Sequence, residues 1–216
     1  MPILPIPFKI AYGDSNACYP AAMQSALAYF CPDKEYTLEF LDKTLKRSKN
    51  KWTFTTQLAA ALYELGLEIK YYSIDSLSTT ESREALIQFF KDVHKENWKK
   101  YLDLVDIDSV VESTQKCMRY NLFENKKLEI KDLEEYMEKG FAVMVLIDHA
   151  VLMKKDVGYT GHFVILTGFD QKNFYYHENF EKNAQANKSA GKEDFFAAWS
   201  EEKTGRDTVV VLGKRK

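Results

Sequence analysis

Cysteine is scarce. Cys18, Cys31 and Cys117 are the three in 216 residues, widely spaced and odd in number, which is not a disulfide framework. No CxxC pair and no Cys/His cluster has zinc-site spacing, so neither a metal nor another cofactor is expected. Long hydrophobic runs are missing too. The longest, Phe141 to Ile147, falls far short of the roughly 20 apolar residues of a membrane-spanning helix. The N-terminus, Met1-Pro2-Ile3-Leu4-Pro5-Ile6-Pro7, lacks a basic region and is broken by prolines, unlike a secretory signal. These absences lead to the expectation of a soluble, cytoplasmic protein in a reducing compartment. Charge of one sign is also lacking, since 30 Lys and Arg face 32 Asp and Glu for a net charge of -2. The basic stretches Lys43 to Lys51 and Lys91 to Lys100 are interrupted by apolar residues at helical spacing and read as solvated faces, so no nucleic-acid partner is expected.

What is present is core-forming material, with 45% hydrophobic and 14% aromatic residues. The length suits one domain over 1–216 with a helical insertion. Residues 1–12 are extended and proline-rich, an arm or edge strand. Helical spacing marks Cys18 to Phe30, Leu38 to Leu45 and Thr56 to Leu65, the last stopped by Gly66. Leu67 to Ser73 alternates as a strand. From about residue 75 to 127 the texture changes to a glycine-free block of two or three helices. Ile130 to Lys139 is a further helix. The last third is β, with strands at Phe141 to Ile147, His162 to Phe169, Asn173 to Glu178 and Thr208 to Leu212, and a helix at Asp194 to Ser200. Helices first and an antiparallel sheet last define an α+β class.

The chemistry centres on Cys18, in Asn16-Ala17-Cys18-Tyr19-Pro20-Ala21-Ala22, a polar turn running into an apolar-periodic helix. Pro20 suits the first turn, where its missing N–H costs nothing. A thiol at a helix start feels the positive end of the macrodipole, which favours thiolate. His162 opens a strand after Gly161, which permits close approach of a substrate backbone. The next strand ends in His177-Glu178-Asn179, offering an acceptor for an imidazole N–H. Thiol, imidazole and orienting group are the three parts of a Cys-His nucleophilic site. By contrast, His149 in Ile147-Asp148-His149 and His94 in the helical block have no partner pattern and read as structural or surface residues. Cys31 and Cys117 read as core.

The run Ala17-Cys18-Tyr19-Pro20-Ala21-Ala22, together with Gly161-His162-Phe163-Val164-Ile165-Leu166-Thr167-Gly168-Phe169-Asp170, resembles the bacteriocin-processing (double-glycine leader) peptidase-like family of papain-fold cysteine peptidases. Phe54 to Ser73, Leu128 to Ile147 and Lys192 to Trp199 resemble its connecting elements, while residues 75–127 have no counterpart. The resemblance implies a papain-like fold, with an N-terminal helical lobe carrying the Cys helix and a C-terminal antiparallel sheet. It implies Cys18 as nucleophile and His162 as general base. The family's Asp falls on Glu178, followed here by Asn179, and either would orient the imidazole. Tyr19 replaces the family's Gly. The family's oxyanion-hole Gln falls on Tyr12, and no Gln lies between Met1 and Cys18. Asn16, or Tyr12 through its hydroxyl, would donate instead, together with the Cys18 backbone N–H. Loss of a hole donor costs about two to three orders of magnitude in rate.

The expected activity is thiol-dependent hydrolysis of a peptide or amide. Two alternatives carry weight at this stage. One is an acyl- or peptidyl-transferase of the same fold, with an amine resolving the acyl-enzyme. The other is a catalytically degenerate peptide-binding domain. Nothing in the sequence sets an oligomeric state.

Overall fold

The structure is a computed structural model that describes residues 3–11, 16–48 and 50–215. Helices come first: α1 (Cys18–Phe30), α2 (Leu38–Thr44) and α3 (Thr55–Glu64) precede strand β1 (Leu67–Ser73). Then follow α4 (Arg83–His94), α5 (Trp98–Leu102), α6 (Ile107–Arg119), the short strand β2 (Phe123–Asn125) and α7 (Ile130–Glu138). The last third holds β3 (Ala142–Asp148), α8 (His149–Leu152), β4 (Gly161–Phe169), β5 (Asn173–Glu178), β6 (Gln185–Gly191), α9 (Lys192–Trp199) and β7 (Thr208–Lys214).

The strands form one sheet in the order β2-β1-β7-β3-β4-β5-β6. Every neighbouring pair is antiparallel except β1 with β2, which is parallel. The central strands read as continuous apolar runs because both faces of the sheet are covered. Met144, Phe163, Ile165, Val209 and Val211 pack with α1 and α3 on one face. Val143, Val145, Val164, Leu166 and Val210 pack with α7 and α9 on the other. In α1 the side chains of Ala21, Ala22 and Ala26 are fully buried, and their small size lets the helix lie close to β4. Tyr19 stacks on Phe163 with ring centroids 4.1 Å apart.

The block between β1 and α7 forms its own apolar cluster, in which Leu86, Phe90, Val105 and Val110 are buried under Trp52, Phe54 and Tyr101. It returns to the sheet through β2. The N-terminal arm has no regular secondary structure over 3–10, but it is tied down by Leu4 N–H to the Thr167 carbonyl and Ala11 N–H to the Asn179 carbonyl. Among the described residues no helix is long and apolar enough to cross a membrane. Antiparallel order brings the C-terminal ends of β1, β3 and β5 to the same end of the sheet as the N-terminal ends of β4 and β7. That end therefore collects Ser73, Asp148, His162, Glu178 and Asp207.

Candidate active site

Cys18 is the first residue of α1, with Ala17 at the cap and no side-chain cap. It is partly exposed, whereas Cys31 and Cys117 are buried in the core on the same side of the sheet. His162 and Glu178 meet through strand parity. By strand parity His162 shares its face with Val164 and Leu166, and Glu178 with Phe174 and Tyr176, four apolar residues that lie in one cluster with α9. A carboxylate at the end of β5 therefore lies beside an imidazole at the start of β4. His162 Nε2 stands 2.7 Å from Glu178 Oε1, with both residues buried. The other ring nitrogen is left for the thiol, and Cys18 lies close enough to favour the charged ring.

Burial alone would drive His162 toward its neutral form. The hydrogen bonds to Cys18 and Glu178, and the negative charge beside them, overcome that and push its pKa up to about 9. Glu178 is fully buried, which by itself would raise its pKa. The two imidazoles beside it, His149 and His162, hold it instead well below the usual carboxylate range.

The second imidazole is a departure from the sequence reading, which set His149 aside as structural or surface. His149 caps the end of β3, where Asp148 pairs with Gly161, so it lies one strand from His162 at the same sheet end. Its Nε2 lies 3.2 Å from Glu178 Oε2, and its ring meets His162 edge to face at 5.3 Å. Lys188 on β6 places Nζ 3.5 Å from the same oxygen. No motif marks His149; what could have found it is the β3–β4 pairing, which sets Asp148-His149 beside Gly161-His162.

Asn179 does not reach the imidazole. Its Nδ2 donates to the carbonyls of Cys18 (3.2 Å) and Phe163 (3.4 Å). Asn16 sits partly buried in the turn entering α1, and Tyr12 lies outside the described residues. His177 is buried with both ring nitrogens committed: Nε2 donates to the Ile6 carbonyl at 2.9 Å and Nδ1 accepts from Asn187 N–H at 3.3 Å. His94 stacks on Tyr101 with centroids 4.2 Å apart, within the helical block's aromatic cluster.

A second acidic centre borders the site. Asp207 Oδ1 accepts from the Tyr71 hydroxyl at 3.0 Å, and the Thr55 and Ser73 hydroxyls lie near enough to favour its charged form. Burial raises its pKa to about 6; these hydroxyls oppose the rise and the nearby Asp75 charge adds to it. Tyr19, the residue standing where the resembled family has Gly, donates to or accepts from Thr55 Oγ1 at 3.0 Å. Tyr19 and Tyr159 both lie within electrostatic reach of Cys18 and of Asp207. Nothing in the sequence singled out Asp207 or Tyr159. Among the described residues no cluster of three or more His, Cys, Asp and Glu side chains is arranged to hold a metal ion.

The fold has counterparts among known proteins. The fold matches a putative C39-like peptidase from Bacillus anthracis, with TM-score 0.57 and 12% identity over 99% of this chain and 98% of that one. It also matches the peptidase domain of Streptococcus ComA, a bi-functional ABC transporter involved in a quorum sensing pathway, with TM-score 0.51 and 11% identity over 96% of this chain and 100% of that one. At such identities the likeness is one of fold, the papain-like fold of C39 peptidase domains. No curated protein matches. A family profile described as "Peptidase_C39 like family" matches residues 17–195, most of the chain. The chain belongs to the peptidase C39-like family.

Proposed function

We propose that this protein is a thiol-dependent amide hydrolase acting on peptides, with Cys18 as nucleophile, His162 as general base and acid, and Glu178 as the group orienting the imidazole. The observation that carries the reading is the buried His162–Glu178 hydrogen bond, with Cys18 beside the ring and Glu178 fully buried at the far end. A histidine that keeps its proton to about 9 beside a thiol favours transfer of the thiol proton to the ring. The thiolate sulfur then attacks the carbonyl carbon of a peptide bond, and the electron pair of the C=O moves onto oxygen. The Cys18 backbone N–H and the Asn16 side chain are the donors proposed for that oxyanion. When the intermediate collapses the C–N bond breaks, His162 gives its proton to the leaving amine, and a thioester remains. Water adds to the thioester with His162 taking its proton; the carboxylic acid leaves and the thiolate returns.

The test is covalent trapping by a thiol-directed peptidyl vinyl sulfone, read by intact-protein mass spectrometry. One equivalent should add to the parent chain at Cys18, and none at that position to Cys18→Ala, although Cys31 and Cys117 remain. A parent chain that stays unlabelled under conditions where a free thiol peptide reacts would overturn the reading.

A further inference from the structure

Glu178 has one oxygen more than the proposed His162 contact needs. Its Oε2 is buried, and so is His149 Nε2; neither atom has a well-aligned hydrogen-bond partner among the described residues, yet they lie 3.2 Å apart. Two buried polar atoms that each lack a hydrogen bond, facing each other at that distance, complete one another after a small rotation. We infer that His149 is a positioning residue for the Cys18–His162 pair: it anchors the second oxygen of Glu178 and so keeps the first on His162. The inference rests on the proposed role of that pair.

The surroundings show what the anchor works against. Lys188, from β6, lies 3.5 Å from Oε2 and is the alternative partner for the carboxylate. Tyr176, the preceding same-face residue of β5, lies within electrostatic reach of Glu178 and under the Lys188 ammonium. Asp148, next to His149, is already committed: its Oδ1 accepts from Ala150, Val151 and Thr160 N–H groups. From α9, packed against α8, Asp194 pairs with Lys154 and does not compete. If His149 is removed, Oε2 keeps Lys188 alone, and the carboxylate turns toward β6. The His162 contact lengthens, the imidazolium loses support, and less thiolate forms near neutral pH.

The side chain is not needed to build its own helix. The backbone N–H of His149 donates to the Thr160 carbonyl at 2.8 Å whatever the side chain, and the side chain is 18% exposed. Variants at this position should therefore fold.

The experiment is the rate of iodoacetamide labelling at Cys18 against pH, followed by peptide mass spectrometry, for the parent chain, His149→Ala and His149→Gln. Gln is chosen because its Nε2 reaches where the imidazole Nε2 stands and donates without carrying charge. At pH 7 the parent should label at Cys18 faster than a free thiol peptide, and its rate against pH gives the reference midpoint. His149→Ala should raise that midpoint by about half a unit or more, roughly a threefold loss of labelling at pH values below it. His149→Gln should recover most of the shift. An unchanged or lowered midpoint in His149→Ala, or no recovery in His149→Gln, overturns the positioning role while leaving the Cys-His reading intact. A parent whose Cys18 labels no faster than the free thiol peptide overturns both, so the two failures are distinguishable.

Discussion

Asn179 Nδ2 donates to the Cys18 carbonyl at 3.2 Å, tying the residue after β5 to the first turn of α1. The contact holds the helix that presents the thiol, and it leaves the imidazole to Glu178. Asn179→Ala removes a buried side chain–backbone bond, worth about 1 kcal/mol in net stability. Urea unfolding should show a loss of that order. The pH midpoint of Cys18 alkylation should stay where it is, because the His162–Glu178 contact is untouched. A midpoint shift without a stability loss would mean that Asn179 acts on the ring after all.

The paired ionisations give stability a definite pH profile. His162 binds its proton more tightly folded than unfolded, with its pKa raised from 6.5 to about 9. Its stabilising contribution is complete below about 6.5 and is lost as pH rises through about 9. Glu178 is shifted the other way, below its ordinary 4.5, so its contribution is present above that value and is lost as pH falls below it. Cys18→Ala removes one of the partners that raise His162. The urea midpoint of the parent should therefore fall more steeply than that of Cys18→Ala between pH 6.5 and 9.5. Parallel curves would show that the thiol does not support the imidazolium.

Asp207 has the opposite sign for a carboxylate. Its pKa is raised from 3.8 to about 6, mainly by burial, so the folded state prefers it protonated. Stability is lost as pH climbs from about 4 to just above 6 and is level beyond. Asp207→Asn keeps the shape and removes the ionisation. The variant should match the parent near pH 4 and exceed it at pH 7.5 in urea midpoint. A variant weaker at pH 7.5 than at pH 4, relative to the parent, would show that the hydroxyls of Tyr71, Thr55 and Ser73 favour the charged form more than burial opposes it.

Where side chains carry the structure, the sequence displayed it. The small and apolar face of α1, the run from His162 to Phe169 and the alternation from Leu67 to Ser73 are all set by burial, and each element stands where its pattern puts it. β6 is different. Gln185-Ala-Asn-Lys-Ser-Ala-Gly191 is polar and mostly exposed, and it is a strand because its backbone pairs with β5 at the sheet edge. Main-chain pairing leaves no periodicity to read. β2, three residues at the other edge, is hidden for the same reason inside the block that otherwise reads as helix. Of the site, Cys18, His162 and Glu178 were legible because each stands at the end of a patterned element. His149 and Asp207 were not. Asp207 enters through β7, whose pairing partners β1 and β3 are far away in the chain, and His149 through the β3–β4 pairing, which no motif around it announces.

Gly205 offers the sharpest steric test of the acidic end of the sheet. Its backbone is left-handed, with φ +57°, and a Cβ there would come within 2.7 Å of Asp75 Oδ2 and 3.0 Å of Ser73 Oγ. Its carbonyl also accepts from the Ser73 hydroxyl at 2.9 Å and from Ile74 N–H at 2.9 Å, so the segment cannot shift without loosening the end of β1. Gly205→Ala adds both the strain of a left-handed alanine and the crowding. Together these should cost about 1–3 kcal/mol, read by urea unfolding. Because the Ser73 hydroxyl also acts on the charge of Asp207, the same variant should disturb that carboxylate, and the loss of stability between pH 4 and 6 should change slope. The Cys18 alkylation midpoint should hold, since His162 and Glu178 lie beyond β7 and β3 in the sheet. A Gly205→Ala protein as stable as the parent would mean that the turn relaxes away from Asp75 and that the two carboxylates are not held against it.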